Sequence, residues 1–240
     1  MINYAHRGAS EYAPENTLSS FCLIQGANGI ETDVQRTRDG VPVLFHNDTI
    51  DRVSDGHGKI SDYTFDQLKK VKIYGNCTTG FYDQIVSLSE FLMRFSDYDI
   101  HFAIELKSTG LESDVLQLAD QFGIMKKTTY TSFRFEYLQN VKAINPLARV
   151  GWLVVHPNDE AVTRLIAAGG EEIAPKADHI TPERIQKWCN AGIGIRAWGV
   201  SDVTIMKKMC RLGVDGMTVN FPDRLFQFLN GRNEKTIESV

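Results

Sequence analysis

A closed (β/α)8 barrel is the architecture this sequence predicts, and three observations carry the prediction. Short β-rich runs alternate with amphipathic helical runs, the repeating units number eight once one hairpin strand is set aside, and 240 residues is a length such a barrel takes. Alternation of this kind demands parallel strands with helices on the outside. An open, doubly wound sheet is the competing arrangement, and the count of eight favours closure.

The first unit is INYAH followed by ENTLSSFCLIQGAN, and the second strand is IETDVQ. The run that follows, RTRDGVPVLFHND, leaves too few residues for a helical crossover, so VPVLFH returns antiparallel. Asp39-Gly40 reads as a two-residue hairpin turn. With that turn Arg38 faces Val41, Asp33 faces His46 on one side of the ribbon, and one further step sets Glu31 against Asp48. Between about residues 49 and 88 the rhythm fails. Turn-rich SDGHGKISDYT and YGNCTTGFYDQ flank one short helix, TFDQLKKV, with Thr64 as its N-cap, which predicts a small insertion above the barrel mouth. The rhythm then resumes as HFAIEL with DVLQLADQFGI, TTYTSF with FRFEYLQNVKAIN, RVGWLVV with DEAVTRLIAAG, and EEIAPKA with PERIQKWCNAG. It ends as GIRAWGV with DVTIMKKMCRLG and GMTVNFP with DRLFQFLN, placing barrel strands near residues 4, 31, 104, 130, 152, 174, 197 and 218. The expectation is one domain over residues 1–240 with the insertion at about 49–88.

Composition bounds the function. With 42% hydrophobic and 23% charged residues the chain reads as a soluble globular protein, and a net charge of -4 gives no general affinity for nucleic acid or anionic membrane. Any anion site must therefore be a local cluster. Cys22, Cys77, Cys189 and Cys210 are scattered, with no CxxC pair, and read as reduced thiols. No leader-like segment opens the chain and no run of about 18 apolar residues exists, so the expectation is a cytoplasmic protein without stable membrane insertion.

In such a barrel the chemistry sits where strands end at the C-terminal face. The first strand ends in His6-Arg7-Gly8; the second carries Glu31 and Asp33, and the third barrel strand Glu105 and Lys107, each pair spaced to share a face. Singly, a Glu-x-Asp on a strand is more often an ion-pair set than a metal site, and Thr17 after Pro14 and Asn16 reads as a helix N-cap region. Jointly, three carboxylates converging on one point repel each other, and a hard divalent cation such as Mg2+ or Ca2+ relieves them. Arg7 and Lys107 beside such a cation suggest a substrate carrying a phosphate.

The motifs HRG (6 to 8), PENT (14 to 17), ETD (31 to 33), TRDGVPVLFHN (37 to 47), IELK (104 to 107), Trp198 and DGMTVNFP (215 to 222) span nearly the whole chain. In this order they resemble the glycerophosphodiester phosphodiesterases, members of the phospholipase-C-like phosphodiesterases with a TIM-barrel fold. The resemblance implies that His6 and His46 form the acid/base pair, that Glu31, Asp33 and Glu105 hold the divalent metal, and that Arg7, Lys107 and Trp198 meet the substrate. It also implies an insertion over the mouth after the second histidine. Asn47 stands where the family often has Asp, GVS follows Trp198 where TVN is common, and Val219-Asn220 replaces Thr-Asp.

The implied reaction is metal-dependent hydrolysis of a glycerophosphodiester to sn-glycerol 3-phosphate and an alcohol. A lysophospholipase D-type enzyme is the nearer alternative, with an acyl groove from Phe81, Tyr82 and the Phe91 to Phe95 segment; a non-catalytic phosphodiester-binding barrel is the further one. Tyr63, Tyr74, Phe81 and Tyr82 are expected to be exposed in the insertion, as a homodimer surface or a substrate lid.

Overall fold

The computed structural model describes residues 1–75 and 81–237, with side chains described to residue 231; Cys77 lies outside them. The elements run β1 (Ile2–His6), α1 (Leu18–Cys22), β2 (Gly29–Arg36), β3 (Pro42–Leu44), α2 (Phe65–Leu68), β4 (Ile73–Tyr74), β5 (Tyr82–Asp83) and α3 (Leu88–Phe95). They continue as β6 (His101–Leu106), α4 (Glu112–Gln121), β7 (Thr128–Ser132), α5 (Phe135–Ile144), β8 (Arg149–Val154) and α6 (Asp159–Ala167). The last are β9 (Glu172–Pro175), α7 (Pro182–Asn190), β10 (Gly194–Val200), α8 (Val203–Leu212), β11 (Gly216–Val219) and α9 (Pro222–Ile237).

The sheet order β1-β11-β10-β9-β8-β7-β6-β2-β3, with β1 also paired to β2, closes eight parallel strands into a TIM barrel and leaves β3 as an antiparallel flank. All eight barrel strands fall at the positions the rhythm predicts. Helices start where the sequence offers caps: Thr17, Thr64 and Ser87 each form a reciprocal capping box, and Thr181 caps α7 with Pro182 in its first turn. The main core lies between barrel and helices, with Phe21 and Phe102 packed on Phe91 of α3. Phe91 and Phe95 are buried there, so these two rings serve the core, while Met93 between them is exposed.

The hairpin differs from expectation. Val34 pairs with Leu44, Gln35 with Val43 and Arg36 with Pro42, so Asp33 stands against Phe45 and not His46, with Phe45 N donating to Asp33 O at 3.0 Å. The loop has three residues, 38 to 40, closed by Thr37 N to Val41 O at 3.1 Å with Gly40 at φ +84°. This is the type I turn plus left-handed glycine of three-residue hairpins. Two contacts select it: the Thr37 hydroxyl accepts from Val41 N at 2.8 Å, and the Asp39 carboxylate accepts from Phe65 N of α2 at 3.0 Å. One residue of slip turns every side chain to the other face. Val43 and Phe45 accordingly enter a second, smaller core with Ile50, Ile60, Leu68, Ile73 and Ile85. That core holds the segment between β3 and α3, where Tyr74, Phe81 and Tyr82 are exposed while Tyr63 is half-buried, contrary to expectation.

Candidate active site

His6 closes β1, and the chain then bends sharply. Arg7 (φ 56°) and Asn16 (φ 57°) are the two non-glycine residues with left-handed backbone among those described, and both lie at the barrel mouth. Gly8 follows at φ +79°, where a side chain would meet the Ser20 backbone at 2.6 Å; the glycine of HRG lets α1 seat against this turn. Ser20 Oγ and Asn16 N both donate to Arg7 O, at 2.9 and 3.0 Å, and brace the bend.

Barrel register sets the acids. His6 is the neighbour of Glu31 across β1 and β2, and Asp33 of Glu105 across β2 and β6. Each of Glu31, Asp33 and Glu105 offers a ligand atom, these atoms lie within 4.8 Å of one another, and all three residues are buried. Two cations lie against them: Arg7 Nε is 3.1 Å from Asp33 Oδ2, Lys107 Nζ 2.9 Å from Glu105 Oε1 and 3.7 Å from Asp33 Oδ1. Asp33 Oδ1 is buried with no hydrogen-bond partner among the described residues. A buried carboxylate oxygen left in this way is what a cation would satisfy.

The titration behaviour points the same way. Burial, then the charge of Asp33, pushes Glu31 up to about 8 against the pull of Arg7, and burial with Asp33 pushes Glu105 up to about 7 against Lys107. Burial opposes ionisation of Asp33 too, but Arg7, Lys107, His46 and the Asn16 hydrogen bond outweigh it and hold Asp33 well below the usual carboxylate range. Two of the three acids thus hold protons near neutral pH in the space where an all-oxygen donor set suits Mg2+ or Ca2+.

The two histidines flank this cluster. His6 Nε2 is 3.9 Å from Glu31 Oε2, and its Nδ1 meets Asn220 Oδ1 at 2.7 Å. Its ring is 31% exposed, yet burial at the mouth, followed by the charge of Arg7, pushes it down to about 4. His46 lies just beyond the β2–β3 ladder, close enough to Asp33 for their charges to interact; burial lowers its pKa against that attraction. The structure thus brings His46 to the mouth, but on a register different from the one the two-residue turn predicts. Trp198, at the end of β10, donates to Ala174 O at 3.0 Å and meets Phe133 edge-on at 5.2 Å; Lys107 Nζ lies 6.0 Å from the Phe133 ring. All eight predicted site residues thus lie at the C-terminal mouth, with Trp198 linked to Lys107 through Phe133.

Five further residues escaped the sequence reading. Asn16, 1% exposed, donates to Asp33 Oδ2 at 3.0 Å and accepts from Thr32 Oγ1 at 2.8 Å. Glu15 accepts from both Arg7 and Arg52, Asn220 backs His6, and Phe133 joins Trp198 to Lys107. The usable signal was PENT itself, where an asparagine tolerates the left-handed backbone that aims its amide inward. A cavity of about 290 Å3 lined by Tyr4, Arg149 and Glu172 sits where strands begin, at the opposite end of the barrel from every residue above. A cleft of about 260 Å3 beside Lys107, lined by Gln35, Asp48 and Lys59, adjoins the charged cluster.

A TIM barrel with acids, imidazoles and bases gathered at its C-terminal mouth has the form of an enzyme of this superfold. The chain belongs to the glycerophosphoryl diester phosphodiesterase family, whose model matches residues 6–224, and it is a phosphoric diester hydrolase. It is 29% identical over 235 residues to a glycerophosphodiester phosphodiesterase of Caldanaerobacter subterraneus, covering 94% of this chain and 96% of that one. Its identity to a glycerophosphodiester phosphodiesterase of Bacillus altitudinis is 30% over 239 residues, covering 92% and 95%. An Oleispira antarctica phosphodiesterase, solved in complex with the product sn-glycerol-3-phosphate, superposes with a TM-score of 0.82 at 25% identity over 95% of this chain and 96% of that one.

Proposed function

We propose that the chain hydrolyses glycerophosphodiesters to sn-glycerol 3-phosphate and an alcohol, using a divalent cation held by Glu31, Asp33 and Glu105 and proton transfer by His6 and His46. The observation that carries this reading is the convergence of three buried carboxylates, one with an oxygen that accepts no hydrogen bond, beside two imidazoles at the mouth of a barrel of this family. When bound, Mg2+ or Ca2+ would supply charge to stabilise the phosphate as negative charge builds on its oxygens.

The chain's own residues do the rest. Lys107 brings a positive charge beside Asp33 and Glu105, held protonated by them although burial opposes it. Arg7 donates from Nη1 to Glu15, while Nε lies 3.1 Å from Asp33 Oδ2 without making a hydrogen bond, so the guanidinium keeps donors for a phosphate oxygen. His6 and His46 are both pushed toward the neutral form, so each presents a nitrogen lone pair at neutral pH, as a base needs. One imidazole takes the proton of the attacking hydroxyl, and the departing alkoxide takes its proton from the other ring in its imidazolium form, which that ring must first reach by taking up a proton from solvent. Phe133, 41% exposed, and Trp198 form an apolar corner beside Lys107 for the carbon part of the substrate.

The test is release of sn-glycerol 3-phosphate from glycerophosphocholine and glycerophosphoethanolamine with Mg2+, Ca2+ or EDTA, comparing wild type with His46→Ala. Release that needs the metal and collapses in the variant supports the reading. Release that persists in EDTA would remove the metal from it, and release undiminished in His46→Ala would remove His46.

A further inference from the structure

Arg52 lies outside the barrel, in the segment between β3 and α3, and its side chain is 44% exposed. An arginine so exposed is ordinarily a solvated charge, yet all three of its donor nitrogens are engaged. Nε donates to Asn47 Oδ1 at 2.7 Å, Nη1 donates to Glu15 Oε2 at 3.1 Å, and Nη2 pairs with Glu15 Oε1. Each acceptor has a second partner in the site: His46 Nδ1 is 3.3 Å from Asn47 Oδ1, and Arg7 Nη1 is 3.1 Å from Glu15 Oε1.

The chemistry of the donors makes these contacts directional. An amide can present either oxygen or nitrogen, but a guanidinium only donates, so Arg52 selects the orientation in which Asn47 Oδ1 faces inward. With an acceptor opposite it, His46 Nδ1 carries the proton and Nε2 keeps the lone pair. Freed from Arg52, the same amide has no reason to keep its oxygen toward the ring, and its NH2 facing Nδ1 would reverse the tautomer. On the other arm, the two-pronged pair with Glu15 fixes the carboxylate whose Oε1 holds Arg7.

We propose that Arg52 is a positioning residue for the phosphodiester reaction, fixing the tautomer of His46 through Asn47 and the placement of Arg7 through Glu15. This rests on the reading of His46 as a proton-transfer group. It gives the segment after β3 a part in the chemistry. Lysine cannot replace Arg52, because a single ammonium nitrogen cannot reach Asn47 and both Glu15 oxygens in these directions. Asn47→Asp, by contrast, still offers an oxygen to both Arg52 and His46.

The experiment reads the His46 tautomer from long-range 1H–15N correlations of 15N-histidine-labelled protein, in wild type, Arg52→Ala, Arg52→Lys and Asn47→Asp, alongside kcat and KM with glycerophosphocholine. The expected result is the Nδ1–H tautomer in wild type and Asn47→Asp, and its loss in both Arg52 variants. With that loss kcat falls about 10- to 100-fold, at or below the low end of the ~10²- to 10⁴-fold that an acid/base group supplies, because the imidazole itself remains. A His46 spectrum unchanged in Arg52→Ala overturns the proposal whatever the rate, and so does Arg52→Lys behaving as wild type. If wild type itself releases no sn-glycerol 3-phosphate, the reaction assigned above fails, while the tautomer comparison still decides whether Arg52 orients His46.

Discussion

Binding of a divalent cation at Glu31, Asp33 and Glu105 is expected to expel protons, in a number the structure sets. With Glu31 pushed up to about 8 and Glu105 to about 7, both are protonated at pH 6, while Asp33 is ionised throughout. About two protons should therefore leave per ion bound at pH 6, and fewer than one at pH 8. The sign for stability follows. A carboxyl whose folded pKa lies above its unfolded value favours the folded state most below the unfolded value, and that advantage is lost as pH rises through the folded one. The cation-free protein thus loses stability from this source between about pH 4.5 and 8, and the rise in Tm on adding Mg2+ or Ca2+ is larger at pH 8 than at pH 6. His6 contributes with opposite sign, between about pH 4 and 6.5, so pairs of melts with and without cation at one pH isolate the carboxylates. Calorimetric titration in buffers of different ionisation enthalpy counts the protons directly. A count of zero at pH 6 with full binding would mean both glutamates are already ionised, and the argument from crowded, buried carboxylates would be refuted.

Other outcomes follow from single contacts. His6→Ala and His46→Ala should each lower kcat about 10²- to 10⁴-fold with cation affinity retained, as calorimetry alongside kinetics will show. Asn16→Ala removes the buried amide that donates to Asp33, and should cost about 1–3 kcal/mol by denaturant unfolding and weaken cation binding as well. Gly8→Ala forces a side chain into the Ser20 backbone at a left-handed φ, and should lower Tm more than any other substitution proposed here. Phe133→Ala should raise KM more than it lowers kcat, because it removes apolar surface beside Lys107 and no proton-transfer group.

Much of this site is legible in the sequence because the barrel is regular. Strand ends at His6, Glu31, Asp33, Glu105 and Lys107 share one rim as soon as eight strands are counted, and i, i+2 spacing settles which residues share a face. Legibility ends where geometry depends on one residue more or less. The hairpin loop has three residues and not two because Thr37 and Asp39 make side-chain contacts, the latter to a helix many residues away, which no local turn rule contains. Asn220 was visible only as a departure from a motif. Its role depends on closure of the barrel, since it is the pairing of Ala5 with Val219 that brings the end of β11 behind His6. Glu15 and Arg52 are more obscure still, because each would read as a surface charge until the chain folds one onto the other.

The same comparison explains why His46 arrives at the site although its register was misjudged. Had the two-residue turn formed, His46 would sit in a strand, its side chain fixed by the ladder opposite Asp33. In the observed hairpin Phe45 takes that place and turns into the small core, with Leu44 on the other face. His46 is left beyond the last ladder pair, with no strand partner to orient its side chain. A proton-transfer group in that position must be held by side chains, and Asn47 with Arg52 supplies the hold that β-pairing does not. His6 is placed differently, on a barrel strand paired on both sides, and a single contact to Asn220 suffices for it. The two imidazoles should therefore respond unequally to the segment after β3: loosening it disorders His46 and leaves His6 in place.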